Sequence, residues 1–95
     1  MLLQVRIVVE AEIEPGKRVR LDAFTSVVNA CGGLLEMGLQ VSAGQELLLI
    51  NPAADVQQPC KVVRVGRSQD GLFAVAFEFM KPAPQFWPIA FPPAD

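Results

Sequence analysis

No histidine occurs among the 95 residues of this chain. A Ser/His or Cys/His nucleophile pair therefore cannot be assembled, and a zinc site loses its usual ligand set. Cysteine is nearly as scarce: Cys31 and Cys60 are the only two, and they lack the C-x-x-C spacing of a metal or redox pair. With no secretory features around them, a disulfide is not expected. Cys60 alternates with Val62, the pattern of a buried free thiol. Carboxylate acid–base chemistry needs two groups converging on a cleft, whereas Glu10, Glu12 and Glu14 alternate along one strand face. An enzyme is not expected.

Charge is sparse. Eight basic and ten acidic residues leave a net charge of −2, so the sustained positive field of a nucleic-acid surface is missing. The densest basic spot, Lys17, Arg18 and Arg20, lies close in sequence to Glu10, Glu12, Glu14 and Asp22. Arg18 and Arg20 are candidate phosphate contacts for a small anion; as alternate residues on a strand they equally suit a solvated face. No apolar run approaches the ~20 residues needed to cross a bilayer. Met1-Leu2-Leu3 has no basic flank and Arg6 interrupts the apolar stretch, so no signal peptide is expected. These absences point to one soluble cytoplasmic domain over residues 1–95, without membrane insertion.

What is present is β-pattern. Leu3, Val5, Ile7, Val9, Ala11 and Ile13 alternate with polar residues, Val8 excepted, as a half-buried strand does. Glu14-Pro15-Gly16-Lys17 has Pro and Gly where a type II turn requires them. A second strand is expected over 18–29, with Val19, Leu21 and Ala23 on one face and a slip at Phe24 that suggests a β-bulge. Asn29-Ala30-Cys31-Gly32-Gly33 is a sharp reversal, whose Asn and glycines tolerate positive φ, and 34–37 forms a short strand. After a loop over 38–44, residues 46–50 form an apolar strand, and Asn51–Asp55 a turn. Residues 56–65 make the next strand, with Pro59 expected at an edge or bulge. Asp70-Gly71 closes a hairpin, and Phe73, Val75, Phe77 and Phe79 share one face of the last strand. No helical period is sustained, so the expected fold is all-β, a small antiparallel six-stranded barrel. The tail, 81–95, combines Pro82, Pro84, Pro88, Pro92 and Pro93 with Phe86, Trp87, Ile89 and Phe91. Proline forbids regular structure there, while the large apolar groups favour folding back over a barrel opening.

In order and spacing the chain resembles the PilZ family, bacterial β-barrel receptors for cyclic di-GMP. The resemblance rests on V-N-A-C-G-G-L-L-E-M, then V-S-A-G-Q-E-L-L-L-I-N-P, then C-K-V-V-R-V-G-R, and finally A-V-A-F-E-F followed by P-A-P-Q-F-W. It implies a PilZ-like barrel, cyclic di-GMP as ligand with no other cofactor, and ligand contacts from Asn29, Cys31, Gly32 and Gly33. The family's ligand chemistry has two parts, an R-x-x-x-R segment and a [D/N]-x-S-x-x-G turn. No two arginines of this chain are four apart. Setting Asn29 at the first turn position puts Cys31 in place of Ser and Leu34 in place of the last Gly. Setting Gly33 at the last position puts Val28 and Ala30 at the polar ones. Charge-assisted hydrogen bonds are worth roughly 1.5–3 kcal/mol each, so losing two arginines removes several powers of ten in affinity. The expectation is a regulatory binding domain with weak or lost cyclic di-GMP binding. The alternative is a module that contacts a protein partner or a second copy through the apolar tail or the 47–50 strand.

Overall fold

The computed structural model describes residues 2–87. Six antiparallel strands close into a barrel: β1 (Arg6–Glu14), β2 (Lys17–Asn29), β3 (Gly32–Met37), β4 (Glu46–Asn51), β5 (Val56–Arg67) and β6 (Phe73–Phe79). The order around the barrel is β1-β2-β3-β6-β5-β4, with β4 returning to pair with β1. Closure leaves every strand two neighbours, the solution small β domains use to avoid exposed edges. Alternation fills the interior: Ile7, Val9, Leu35, Leu49, Cys60 and Val75 are all fully buried.

The turns follow from their residues. Gly16 adopts φ 79° between β1 and β2, as the Pro-Gly pair requires. Asp70 and Gly71 are both left-handed, φ 59° and 77°, where β5 turns into β6. Pro59 lies within β5, opposite Leu48, and not at a sheet edge. It is tolerated because β6 ends at Phe79, one residue short of it; only its carbonyl is used, accepting the Met80 N–H at 3.3 Å.

β1 begins at Arg6, three residues later than the alternation suggests. The preceding residues lie along β2, held by the buried hydroxyl of Thr25, which donates to the Leu3 carbonyl (2.7 Å) and accepts the Val5 N–H (2.8 Å). Ile13 is also displaced from the expected core face and is 45% exposed. Pairing of β1 with β4 stops at Ala11, so the β1–β2 hairpin projects beyond the barrel wall.

Two bulges shape the opposite wall. The register of β2 against β3 skips Ser26, and that of β5 against β6 skips Val63. The first bulge falls two residues after Phe24, where the alternation slips. An extra residue inverts the faces that follow it. Val28 therefore enters the core while Val27 turns outward, and Val62 is buried beside an exposed Val63.

The chain after β6 folds back onto the barrel end, as its composition predicts. A single 3-10 turn, Pro84–Phe86, places Phe86 and Trp87 inside, 1% and 3% exposed. Phe86 packs edge-on to Trp87 (4.8 Å between centroids) and against Phe79 (5.2 Å). The buried Asn51 amide donates to the Phe86 carbonyl at 2.7 Å. Pro88, Ile89, Phe91, Pro92 and Pro93 lie outside the described residues.

Candidate functional site

The reversal between β2 and β3 is tied down at every carbonyl. That of Asn29 accepts the Trp87 indole N–H (2.8 Å), that of Ala30 the Ala83 N–H (2.8 Å), and that of Cys31 the Phe79 N–H (2.7 Å). The Asn29 side chain accepts the Cys31 N–H at 2.8 Å, closing an Asx turn. Asn29 is thus a turn-forming residue in this structure. Positive φ is not what the glycines supply; neither Gly32 nor Gly33 has it. Both lie in β3 and are required by close approach. A Cβ on Gly32 would run into the Phe77 carbonyl and stand 2.9 Å from the Glu78 Cα. One on Gly33 would run into the Val27 carbonyl and press on the Phe77 ring at 3.2 Å.

Outside this turn lies a shallow groove of about 440 Å³. Its floor is a row crossing the sheet, Val27 on β2, Leu34 on β3 and Ala76 on β6, ending at Arg64 on β5. The row beside it runs Asn29, Gly32, Glu78 and Lys61. The groove exists because Gly32 and Ala76 carry little or no side chain between longer neighbours. Each bulge contributes an outward valine to it, Val27 from one and Val63 from the other. Bulges commonly re-aim side chains at such places.

Four of the residues singled out in the sequence, Asn29, Cys31, Gly32 and Gly33, meet at this groove. Arg18 and Arg20 do not. They stand on the β1–β2 hairpin and both bind the Glu10 carboxylate, at 2.7 and 3.2 Å. Their donated hydrogen bonds hold the Glu10 carboxyl below its ordinary pKa. A lowered folded-state pKa stabilises above the unfolded value and is lost as pH falls through the folded one. Carbon-detected NMR titration should find Glu10 protonating below the ordinary glutamate range, and Arg18→Gln should raise the Glu10 midpoint. A Glu10 midpoint that Arg18→Gln leaves unmoved would contradict the pairing.

Arg64, Glu78 and Val63 are the groove residues that sequence reading did not bring together. The signal was strand parity, but it becomes readable only once the bulge at Val63 is known. Neither Arg64 nor Glu78 forms an ion pair among the described residues; the pairs there are Arg6–Asp22, Lys17–Glu14 and those of Glu10. Glu36, farther along β3, is engaged by the Ser68 hydroxyl at 3.0 Å.

The two thiols differ sharply. Cys31 is free and exposed on the groove rim, while Cys60 is free and buried. Burial pushes the Cys60 thiol from 9.0 up to about 12, which lowers its thiolate fraction about a thousandfold. An aromatic disulfide reagent at pH 8 should titrate one thiol in the folded protein and two in denaturant, with mass mapping placing the first at Cys31. Fast reaction of both would show that the core opens.

Among the described residues no three His, Cys, Asp or Glu side chains come together as metal ligands would, and no helix is long and apolar enough to cross a membrane. No protein-family model, curated protein or solved structure matches this chain.

Proposed function

We propose that the chain is a non-catalytic regulatory binding domain of the PilZ type, with the groove over Gly32 and Gly33 as its recognition face. The observation that carries this reading is a coincidence of position. The reversal at which the resembling family keeps its ligand turn is the rim of the groove described above. Fixed carbonyls and a hydrogen-bonded Asx turn give that rim the rigidity recognition benefits from.

The same groove argues for weak or lost cyclic di-GMP binding. A doubly anionic ligand calls for at least two cations, and among the described residues lining the groove Arg64 is the only one. Glu78 adds a repelling carboxylate beside it. Arg18 and Arg20, on the β1–β2 hairpin, are committed to Glu10 elsewhere. Calorimetric titration with cyclic di-GMP should give no saturable heat at micromolar ligand. A low-micromolar dissociation constant would overturn this part of the reading.

A further inference from the structure

We propose that Asn51 is a positioning residue for the groove rim, holding the β2–β3 reversal in place through the strap after β6. This names what controls the recognition face, and in that respect it rests on the reading above. β2 and β4 both run antiparallel to β1, so they end at the same mouth of the barrel, β2 at Asn29 and β4 at Asn51. Each of these residues closes an Asx turn. The Asn29 side chain accepts the Cys31 N–H at 2.8 Å, and the Asn51 side chain accepts the Ala53 N–H at 3.2 Å. β1 lies between the two strands, so no ladder hydrogen bond joins the turns. The strap does.

Asn51 is suited to the task by its burial. The residue is 1% exposed, and a buried amide is costly unless both of its ends are bonded. With its oxygen on Ala53, its nitrogen donates to the Phe86 carbonyl at 2.7 Å. Only this orientation of the amide satisfies both partners.

From Phe86 the contact is passed on through a short, stiff segment. The Phe86 N–H closes the 3-10 turn onto the Ala83 carbonyl at 3.1 Å, and Pro84 fixes φ at its start. The rings of Phe86 and Trp87 pack at right angles. At the far side, the Trp87 indole and the Ala83 N–H hold the carbonyls of Asn29 and Ala30, both at 2.8 Å. Residues 83–87 form no strand ladder and are held by these bonds and by ring packing. A unit this short seats or lifts as a whole, so loosening one anchor loosens the other. By linkage the effect is reciprocal.

The test is hydrogen exchange of the full chain followed by NMR, which detects rare local openings even in a protein that unfolds as one unit. No ligand is used, so the coupling can fail while the recognition face stands. Asn51→Ala should speed exchange of the Ala83 N–H and the Trp87 indole N–H about tenfold more than that of the strand amides of Ile7 and Leu35. Asn51→Asp keeps the acceptor for Ala53 and removes only the donor to Phe86; it should do the same. In the reverse direction, Trp87→Phe should speed exchange of the Asn51 side-chain amide by a similar factor. Val41 is buried in the loop between β3 and β4, at the opposite end of the barrel. Val41→Ala should therefore speed the strand amides at least as much as the rim. Rim exchange that merely follows the strand amides in Asn51→Ala, or an Asn51 amide indifferent to Trp87→Phe, would overturn the proposal. If the Asn51 variants do not fold, Trp87→Phe decides alone.

Discussion

Gly33→Val should leave the protein largely unfolded at 25 °C. A domain of this length has about 5–14 kcal/mol of stability in total. At Gly33 even a methyl group would overlap the Val27 carbonyl, which is fixed by the β2–β3 ladder, and crowd the Phe77 ring at 3.2 Å. Overpacking a well-filled site costs typically 1–3 kcal/mol, and more where backbone has to move. Valine adds two further carbons against the same atoms. Gly33→Ala should cost about 3 kcal/mol, and Gly32→Ala a comparable amount, because the Phe77 carbonyl and the Glu78 backbone face it. Gly38 and Gly66 provide the control. A Cβ at either meets nothing within 4 Å, and neither has positive φ. Alanine there should be neutral or stabilise by up to about 1 kcal/mol through the unfolded chain. Urea denaturation of the alanine series, with near-ultraviolet circular dichroism of Gly33→Val, decides the matter. If Gly33→Ala matched Gly38→Ala, close approach would not be the reason for the Gly pair.

The groove has its shape for the same reason. With no Cβ at position 32, the wall drops between Asn29 and Glu78, and a methyl there would both strain β3 and fill the floor. Stability and recognition are therefore coupled at this position.

Much of this architecture was legible in the chain. Strict alternation in β6 placed Val75, Phe77 and Phe79 inside, and the Pro-Gly and Asp-Gly pairs located two hairpins. The aromatic tail declared its burial because Phe86 and Trp87 had no other place out of water. The illegible part is where an extra residue enters a strand. T-S-V-V contains nothing that says Ser26 and not Phe24 is skipped; the choice is made by the Thr25 hydroxyl, which is buried and bound to Leu3 and Val5. Likewise P-C-K-V-V-R-V reads equally well with either valine inside. The bulge at Val63 sends Arg64 to the groove, and it depends on pairing with a strand beginning ten residues later. Arg18 and Arg20 illustrate a third limit. Their spacing allowed a phosphate site, but a carboxylate on the opposing strand claimed both.

Phe86→Ala should be the most damaging substitution outside the barrel strands, lowering stability by about 3–5 kcal/mol. Its ring is 1% exposed and packs between Phe79 and Trp87, so truncation leaves a cavity walled by other rings that cannot collapse into it. Loss on this scale removes between about a fifth and all of the stability range estimated above, and the midpoint in urea should fall accordingly. Trp87→Phe separates packing from hydrogen bonding. It keeps most of the buried ring but leaves the Asn29 carbonyl without its donor, costing about 1–3 kcal/mol. Trp87 is the only tryptophan and there is no tyrosine, so intrinsic fluorescence reports on this one site. Emission should be blue-shifted in the native protein and move to the red in a single transition coincident with loss of the barrel signal by circular dichroism. A separate earlier fluorescence transition would mean that the strap after β6 comes away from a standing barrel. Because Trp87 and Ala83 hold the carbonyls of Asn29 and Ala30, such release would loosen the groove rim without unfolding the strands beneath it. Coincident transitions would instead make strap, rim and barrel one cooperative unit, as the continuous core from Phe77 through Phe86 predicts.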